Sequence, residues 1–269
     1  MQAQLKEIWS CREVIILLIR RELRLRYKNS VLGLMWSLVS PIVLCLMIWY
    51  VFRQVYRLPI QNYSAYLFCA FVPWTFFQLT MLDSCSVIRL SGPLVKKIYF
   101  PREMLPLVIV GANFVHFLLA FAVYMVYVLV LGVDLEWRVL WLPVIVAMML
   151  ITATGLAFFL SCLNVYYEDV KYIVQTLMTI LFFATPVIYQ VDSLSDSRYV
   201  LSQLNPFGVV VTQFQKALLP VPHRVPDILE HPRPLDLQFL AIGAIISLLI
   251  AVIGFRFFDR YKWDLAEKL

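Results

Sequence analysis

The sequence predicts an all-α integral membrane protein with six transmembrane helices. An amphipathic interface helix precedes them, a short cytoplasmic helix lies between the second and third spans, and a re-entrant outer segment comes before the last. Three observations carry this. Of 269 residues, 62% are hydrophobic and 15% charged, with a mean hydropathy of +0.80. A soluble domain carries about 25% charged residues, so there is too little polar surface here to cover a water-soluble globule. Uncharged runs at 31–52, 58–82, 104–133, 139–167, 172–191 and 237–255 each hold 19 residues or more. At ~1.5 Å of rise per residue, ~20 residues cross a ~30 Å hydrocarbon core. The ~10-residue alternating strands of a membrane barrel are absent from the pattern. Finally, Lys and Arg are unevenly shared. With six spans both termini lie on one side, and that side (1–30, 83–105, 164–172, 256–269) holds 16 of the 23 Lys and Arg, the other 7. The positive-inside rule then places both termini in the cytoplasm.

Residues 1–30 read as the interface helix. Leu5, Ile8, Trp9, Ile15, Ile16, Ile19 and Leu23 recur at helical spacing among Lys6, Glu7, Arg12, Glu13, Arg20, Arg21 and Arg24. The apolar run 14–19 is too short to span and lacks the layout of a cleavable signal. Such a helix lies in the inner interface with its cations toward lipid phosphates. Arg20, Arg21, Arg24, Arg26 and Lys28 crowd its end, where the charge stops abruptly. Topological anchoring accounts for the cluster, and attraction of an anionic lipid head is the functional alternative.

The transmembrane body, 31–269, follows with spans at about 31–52, 62–82, 106–132, 140–165, 172–190 and 237–257. Pro41 in the first span and Pro186 in the fifth each remove a backbone donor and predict kinks. In the cytoplasmic segment, Gly92-Pro93 breaks the chain and 94–100 forms a short helix closed by Pro101. Its face mixes Leu94, Val95, Ile98 and Phe100 with Lys96 and Lys97, which suits either a groove on a partner or a turn at the lipid surface. In the outer segment 192–236, NPFGVVVTQFQKALL (205–219) is apolar enough to re-enter the membrane, with Asn205-Pro206 as a helix start. The proline-rich stretch after it is expected to be extended.

Several chemistries are excluded by what the spans lack. Asp and Glu are missing from the interiors expected for them, against a proton-coupled pathway. His116 has Asn113 three residues before it on the same face, which fits an interhelical hydrogen bond. No GxSxG or HExxH motif and no pair of membrane aspartates point to a hydrolase. Without GxxxxGK[ST], any ATP that drives this chain is bound by another polypeptide. Cys11, Cys45, Cys69, Cys85 and Cys162 fall in the cytoplasm or the spans, where free thiols are expected, and no metal spacing occurs. Aromatics make up 15%. Trp36, Trp49 and Tyr50 in the first span, and Phe182, Phe183 and Tyr189 in the fifth, fit interface belts or broad apolar walls.

Certain stretches carry more than topology: RYKNSVLGLMWSLVSP (26–41), LVKKIYFPREMLP (94–106), LNVYYEDVKYIV (163–174), TPVIY (185–189) and LNP (204–206). In this order and spacing the chain resembles the membrane permeases of ATP-binding-cassette exporters for surface polysaccharides, the lipopolysaccharide O-antigen and teichoic acid exporters, over nearly its whole length. Glu168 departs from the family pattern, which often has a basic residue before the aspartate. The resemblance implies a non-enzymatic transport subunit in the cytoplasmic membrane of a bacterium. It further implies a homodimer with two copies of a separate ATPase that binds ATP and Mg, a lipid-linked glycan as substrate, contact with membrane lipids, and no nucleic acid. Under it, Trp36, Pro41, Trp49, Tyr50, Phe182, Phe183 and Tyr189 are channel or gate residues. Leu94, Val95, Lys96, Lys97, Ile98, Tyr99, Phe100, Pro101 and Arg102 are the coupling helix on the ATPase. Arg20, Arg21, Arg24, Arg26 and Lys28 lie where a lipid phosphate arrives. A drug or lipid exporter permease and a non-transporting structural subunit share this layout and stay open at this point.

The topology is checked by thiol labelling. A membrane-impermeant maleimide should label Arg224→Cys in the outer segment of cells with a permeabilised outer envelope, and should leave the native Cys11 unlabelled until the inner membrane is broken.

Overall fold

The computed structural model describes residues 10–26, 39, 42–43, 46–47, 50–51, 63–92, 101–133, 135–189, 194–219 and 235–264. They form α1 (Arg12–Arg26), α2 (Tyr63–Leu90), α3 (Met104–Val130), a 3-10 turn (Trp137–Trp141) leading into α4 (Leu142–Tyr166), α5 (Val170–Ala184), α6 (Asp196–Leu204), α7 (Pro206–Leu218) and α8 (Leu237–Tyr261). No strand occurs among the described residues. Among the described residues, four helices are long and apolar enough to cross a membrane: α2, α3, α4 with its 3-10 turn, and α8. Most of the expected first span lies outside the described residues. So do Lys28, Trp36, Pro41, Trp49, Leu94, Val95, Lys96, Lys97, Ile98, Tyr99 and Phe100.

Two boundaries differ from expectation. Residues 83–90, expected to follow the second span, continue α2 through Leu90, so Asp83 stands on a helix. The expected fifth span, 172–190, becomes a 15-residue α5 that stops at Ala184, about 22 Å long. Pro186 therefore ends a helix rather than kinking one. A residue before proline is pushed out of the α region, and Thr185 is extended, with φ −91° and ψ 139°.

The core gathers around α2, which packs against α3, α4, α5 and α7. Its Trp74 and Phe77 meet Phe207 at 6.3 and 4.7 Å between ring centroids. Phe117 and Phe121 of α3 meet Phe214 at 6.1 and 5.7 Å. Edge-on aromatic pairs of this kind contribute about 0.5–1.5 kcal/mol beyond the area they bury.

These contacts also set the direction of α7. Phe207, at its start, lies beside Phe77, well along α2, while the Gln215 amide reaches back to the carbonyl of Tyr66 at 3.5 Å near the start of α2. Lys216 of α7 donates to the Tyr199 hydroxyl of α6 at 3.1 Å, so α6 descends beside the helix that ascends. The two form a helical hairpin whose tip is Asn205. Its side chain caps the Phe207 N–H at 3.1 Å and its amide donates to Thr185 Oγ1 at 3.1 Å. Gly208 is required by this tight return, because a Cβ there would fall on the carbonyl of Ser202. Every residue of α7 after its proline is buried.

α4 and α8 cross at their backbones. A Cβ on Gly155 would stand 2.6 Å from the Ala251 Cα, and one on Gly254 would fall on the Gly155 carbonyl. Small residues allow this approach. One helical stretch away, Thr152 Oγ1 pairs with Ser247 Oγ at 2.8 Å, a kind of interhelical bond worth about 0.6 kcal/mol on average. Gly155→Val forces backbones apart and should destabilise the detergent-purified protein by about 1–3 kcal/mol, read as a lower thermal midpoint. Thr152→Val, at nearly constant volume, should lower it much less.

Candidate functional site

Three places combine exposure with chemistry. The first is α5, which has three faces. Val170, Val174 and Met178 turn into the bundle. Ile173, Leu177 and Ile180 form an exposed apolar face. Between them runs a stripe of Tyr172, Gln175, Thr176, Thr179 and Phe183, all exposed, at i, i+3/i+4, i+7 and i+11. Thr176 and Thr179 satisfy their hydroxyl protons on carbonyls of their own helix, those of Tyr172 at 3.0 Å and Gln175 at 3.1 Å. An amide facing hydrocarbon is costly, so this stripe belongs toward water or another polar surface.

The two neighbouring phenylalanines of α5 part company. Phe182 packs against Phe71 and Trp74 at 5.7 and 5.5 Å, while Phe183 is 65% exposed at the end of the stripe. Just beyond, Tyr63 and Tyr66 of α2 donate to the carbonyls of Ile188 and Tyr189, at 2.7 and 3.0 Å. The Tyr189 hydroxyl itself donates to the Ala184 carbonyl at 3.0 Å, which fixes the chain that leaves α5. Tyr50 is exposed.

The second place is the end of α1. Ile19 lies against Gly111 of α3. About two turns further on, the Arg26 fork donates to Asp83 of α2 at 2.7 Å and to Asn113 of α3 at 2.8 Å. The Asn113 amide in turn donates to Asp83 at 3.0 Å. Three helices thus meet at one charged, hydrogen-bonded junction, in which both Arg26 and Asp83 are partly buried. Arg20, Arg21 and Arg24 remain on the exposed side of α1.

The third place frames segment 94–100 at both ends. Upstream, Arg89 at the end of α2 pairs with Glu168 in the turn between α4 and α5 at 2.7 Å, so the residue that departs from the family pattern has a cation beside it. Downstream, Arg102 donates to the carbonyls of Lys262 and Trp263 beyond α8. Glu103, itself buried, pairs with Lys262 at 2.6 Å, and Lys262 also reaches Asp259 at 2.8 Å. Burial alone would lower the Lys262 pKa, but the hydrogen bonds to Asp259 and Glu103 outweigh it and raise the ammonium above the ordinary lysine value.

Sequence reasoning found the fifth span through its uncharged run and marked Phe182 and Phe183 on it, but missed the polar stripe, although the i, i+3/i+4, i+7 spacing of Tyr172, Gln175, Thr176 and Thr179 is readable. It also missed Asp83, Glu103 and Lys262, whose partners lie 57 and 159 residues away in the chain. For Asp83 the only signal was a lone acid beside a span in a chain with a basic cluster.

Known proteins resemble the chain along its whole length. The ABC-2 type transporter family matches residues 13–219. An O-antigen export system permease protein RfbA from Myxococcus xanthus is 32% identical over 266 residues, covering 98% of each chain. Two proteins of the same name from Klebsiella pneumoniae are 25% and 24% identical over 260 and 258 residues, each covering 96% of this chain and 95% of its own.

The junction at Arg26 makes a direct prediction. Arg26→Met leaves Asp83 without its cation and should cost about 1–3 kcal/mol, read as a lower thermal midpoint and earlier proteolysis within α1. Adding Asp83→Asn removes the orphaned charge and should recover more than half of that loss.

Proposed function

The chain belongs to the ABC-2 type transporter family, and from that premise we propose that it is the permease subunit of an exporter moving a lipid-linked, O-antigen-like polysaccharide across the cytoplasmic membrane of a bacterium. The observation that carries the substrate class is full-length similarity to relatives named as O-antigen export permeases. That name also favours an O-antigen-like cargo over a teichoic-acid-like one.

The assembly is two copies of this chain over two copies of an ATPase. The phosphate-binding loop GxxxxGK[ST] is missing from the sequence, so ATP and Mg belong to the partner, and residues 94–102 dock on it. Six spans hold both termini in the cytoplasm, the first made largely by residues outside the described set. α1 lies in the inner interface, where exposed Arg20, Arg21 and Arg24 with Lys28 attract the phosphate of the arriving lipid head, each cation contributing about 1 kcal/mol near an anionic surface. The first span, with Trp36, Pro41, Trp49 and Tyr50, and α5 wall the glycan path.

The stripe on α5 suits that wall. Hydroxyls and an amide offer weak, replaceable hydrogen bonds to sugar hydroxyls, and Tyr172 and Phe183 offer flat faces to sugar C–H groups. The stripe from Tyr172 to Phe183 carries no charge, and exposed Lys171 borders its start, so a neutral chain slides past without being held. Phe182 supports the wall from behind through Phe71 and Trp74. The α6–α7 hairpin, tied to Thr185 and thus to the end of α5, closes the outer end.

Two measurements test this. The tagged chain extracted gently from native membranes should bring down one ATPase in equal amount, at a two-plus-two native mass. A clean homo-oligomer with no ATPase contradicts it and favours a structural subunit. Thr179→Trp, which fills the stripe, should cut surface polysaccharide at least tenfold at unchanged complex yield, and Ile180→Trp on the neighbouring apolar face should leave export within twofold of normal.

A further inference from the structure

Segment 94–100 is framed by two ion pairs of opposite character. The upstream pair, Arg89 with Glu168, is exposed, with side chains 36% and 74% accessible. Water screens such a pair, and it holds its helices loosely. The downstream contact is built differently. The C-terminal carbonyls of a helix lack partners within the helix and carry its negative dipole end. Just past the last turn of α8, the guanidinium of Arg102 donates to the carbonyl of the C-cap Lys262 and to that of Trp263. Glu103 and Lys262 close at 2.6 Å with side chains 6% and 12% accessible. The Trp263 ring lies beside both cations, 5.7 Å from Arg102 and 5.5 Å from Lys262. An ion pair buried this way resists separation, because each charge alone would be stranded out of water.

The contact does not end at α8. α8 is locked to α4 by the backbone crossing of Gly155 with Gly254 and by the Thr152–Ser247 bond. Phe158 of α4 sits against Phe255 and Phe258 of α8 at 5.5 and 5.2 Å. The end of segment 94–102, at Arg102, is thus joined to a two-helix unit through a rigid link, while the end of α2, at Arg89, is joined to the α4–α5 turn through a compliant one.

We propose that Arg102 and Glu103, closed over the C-terminus of α8, are positioning residues that form a strut. The strut passes ATP-driven displacement of segment 94–102 to the α8–α4 pair, while Arg89 with Glu168 is the joint that yields. This rests on the exporter reading of the chain, with an ATPase docked on 94–102. The strut stays closed through the cycle, and its loss disconnects hydrolysis from transport without dissolving the complex.

The test uses the purified permease–ATPase complex and three variants. Lys262→Arg keeps the pair. Lys262→Met breaks it and strands Glu103. Glu103→Gln with Lys262→Met removes both buried charges at similar volume and leaves Asp259, 38% accessible, to be hydrated, so that no buried charge is stranded while the ion pair of the strut is gone. Membrane level, ATPase recovery, ATP hydrolysis and polysaccharide exported per ATP are measured for each. Lys262→Arg should export within twofold of the unchanged protein. The neutral double variant should accumulate and recover the ATPase normally, hydrolyse ATP at no less than half the normal rate, and export at least fivefold less per ATP. If it exports normally per ATP, the pair serves stability alone and the strut is overturned, whatever Lys262→Met does. If the double variant loses the ATPase altogether, Glu103 and Lys262 belong to the docking surface and the strut is again overturned. If the unchanged chain recovers no ATPase, the exporter reading fails and takes the strut with it.

Discussion

The aromatic seam between α2 and α7 is the interaction on which the rest of the structure depends. α7 carries Gln213, Gln215 and Lys216, yet it is buried along its whole length after the first residue. Such a helix inserts only if its other face gains enough contact. Phe207 against Trp74 and Phe77, and Phe214 against Phe117 and Phe121, supply it. With α7 seated, Asn205 reaches Thr185 and the end of α5 is held, together with the tyrosine bonds from Tyr63 and Tyr66. Phe182 then finds its place against the same α2 rings, and the polar stripe of α5 is turned outward. The orientation of the candidate path therefore follows from a packing seam that contributes no residue to it.

Polar groups are handled differently at the two ends of the bundle. At the end where α2 begins, tyrosines bond backbone carbonyls, as with Tyr63, Tyr66 and Tyr189, and the charges there stay local, Lys216 on the Tyr199 hydroxyl and Arg138 on Glu136. At the end where α2 finishes, ion pairs join segments far apart in sequence: Arg26 with Asp83, Arg89 with Glu168, Glu103 with Lys262. These pairs form a graded set of links from exposed to buried.

Much of this was legible from the sequence. Uncharged runs located α2, α3, α4 and α8 because length and apolarity are local properties, and Asn205-Pro206 located the start of α7 because capping chemistry is local too. Helix ends were less legible. α2 runs on to Leu90 because its packing continues there, with Val87 and Ile88 buried against Leu105, Ile109 and Phe158, and no residue near position 83 breaks a helix. Pro186 was read as a kink because proline inside an apolar run permits one, whereas the extended Thr185 before it ends α5. The charged contacts where α2 finishes were invisible because each depends on a partner dozens of residues away. The separation of Phe182 from Phe183 depends on one helical rotation, 100° per residue, which the aromatic count alone does not contain.

The most direct test of the exporter reading is transport itself, in proteoliposomes holding the co-purified permease and ATPase and a lipid-linked polysaccharide. With ATPases facing outward, added ATP should carry glycan into the lumen, read as glycan protected from an external glycan-degrading enzyme and lost again when Thr179→Trp is used. ATP hydrolysis with no protected glycan, in vesicles where a labelled phospholipid or small hydrophobic drug moves instead, would contradict it.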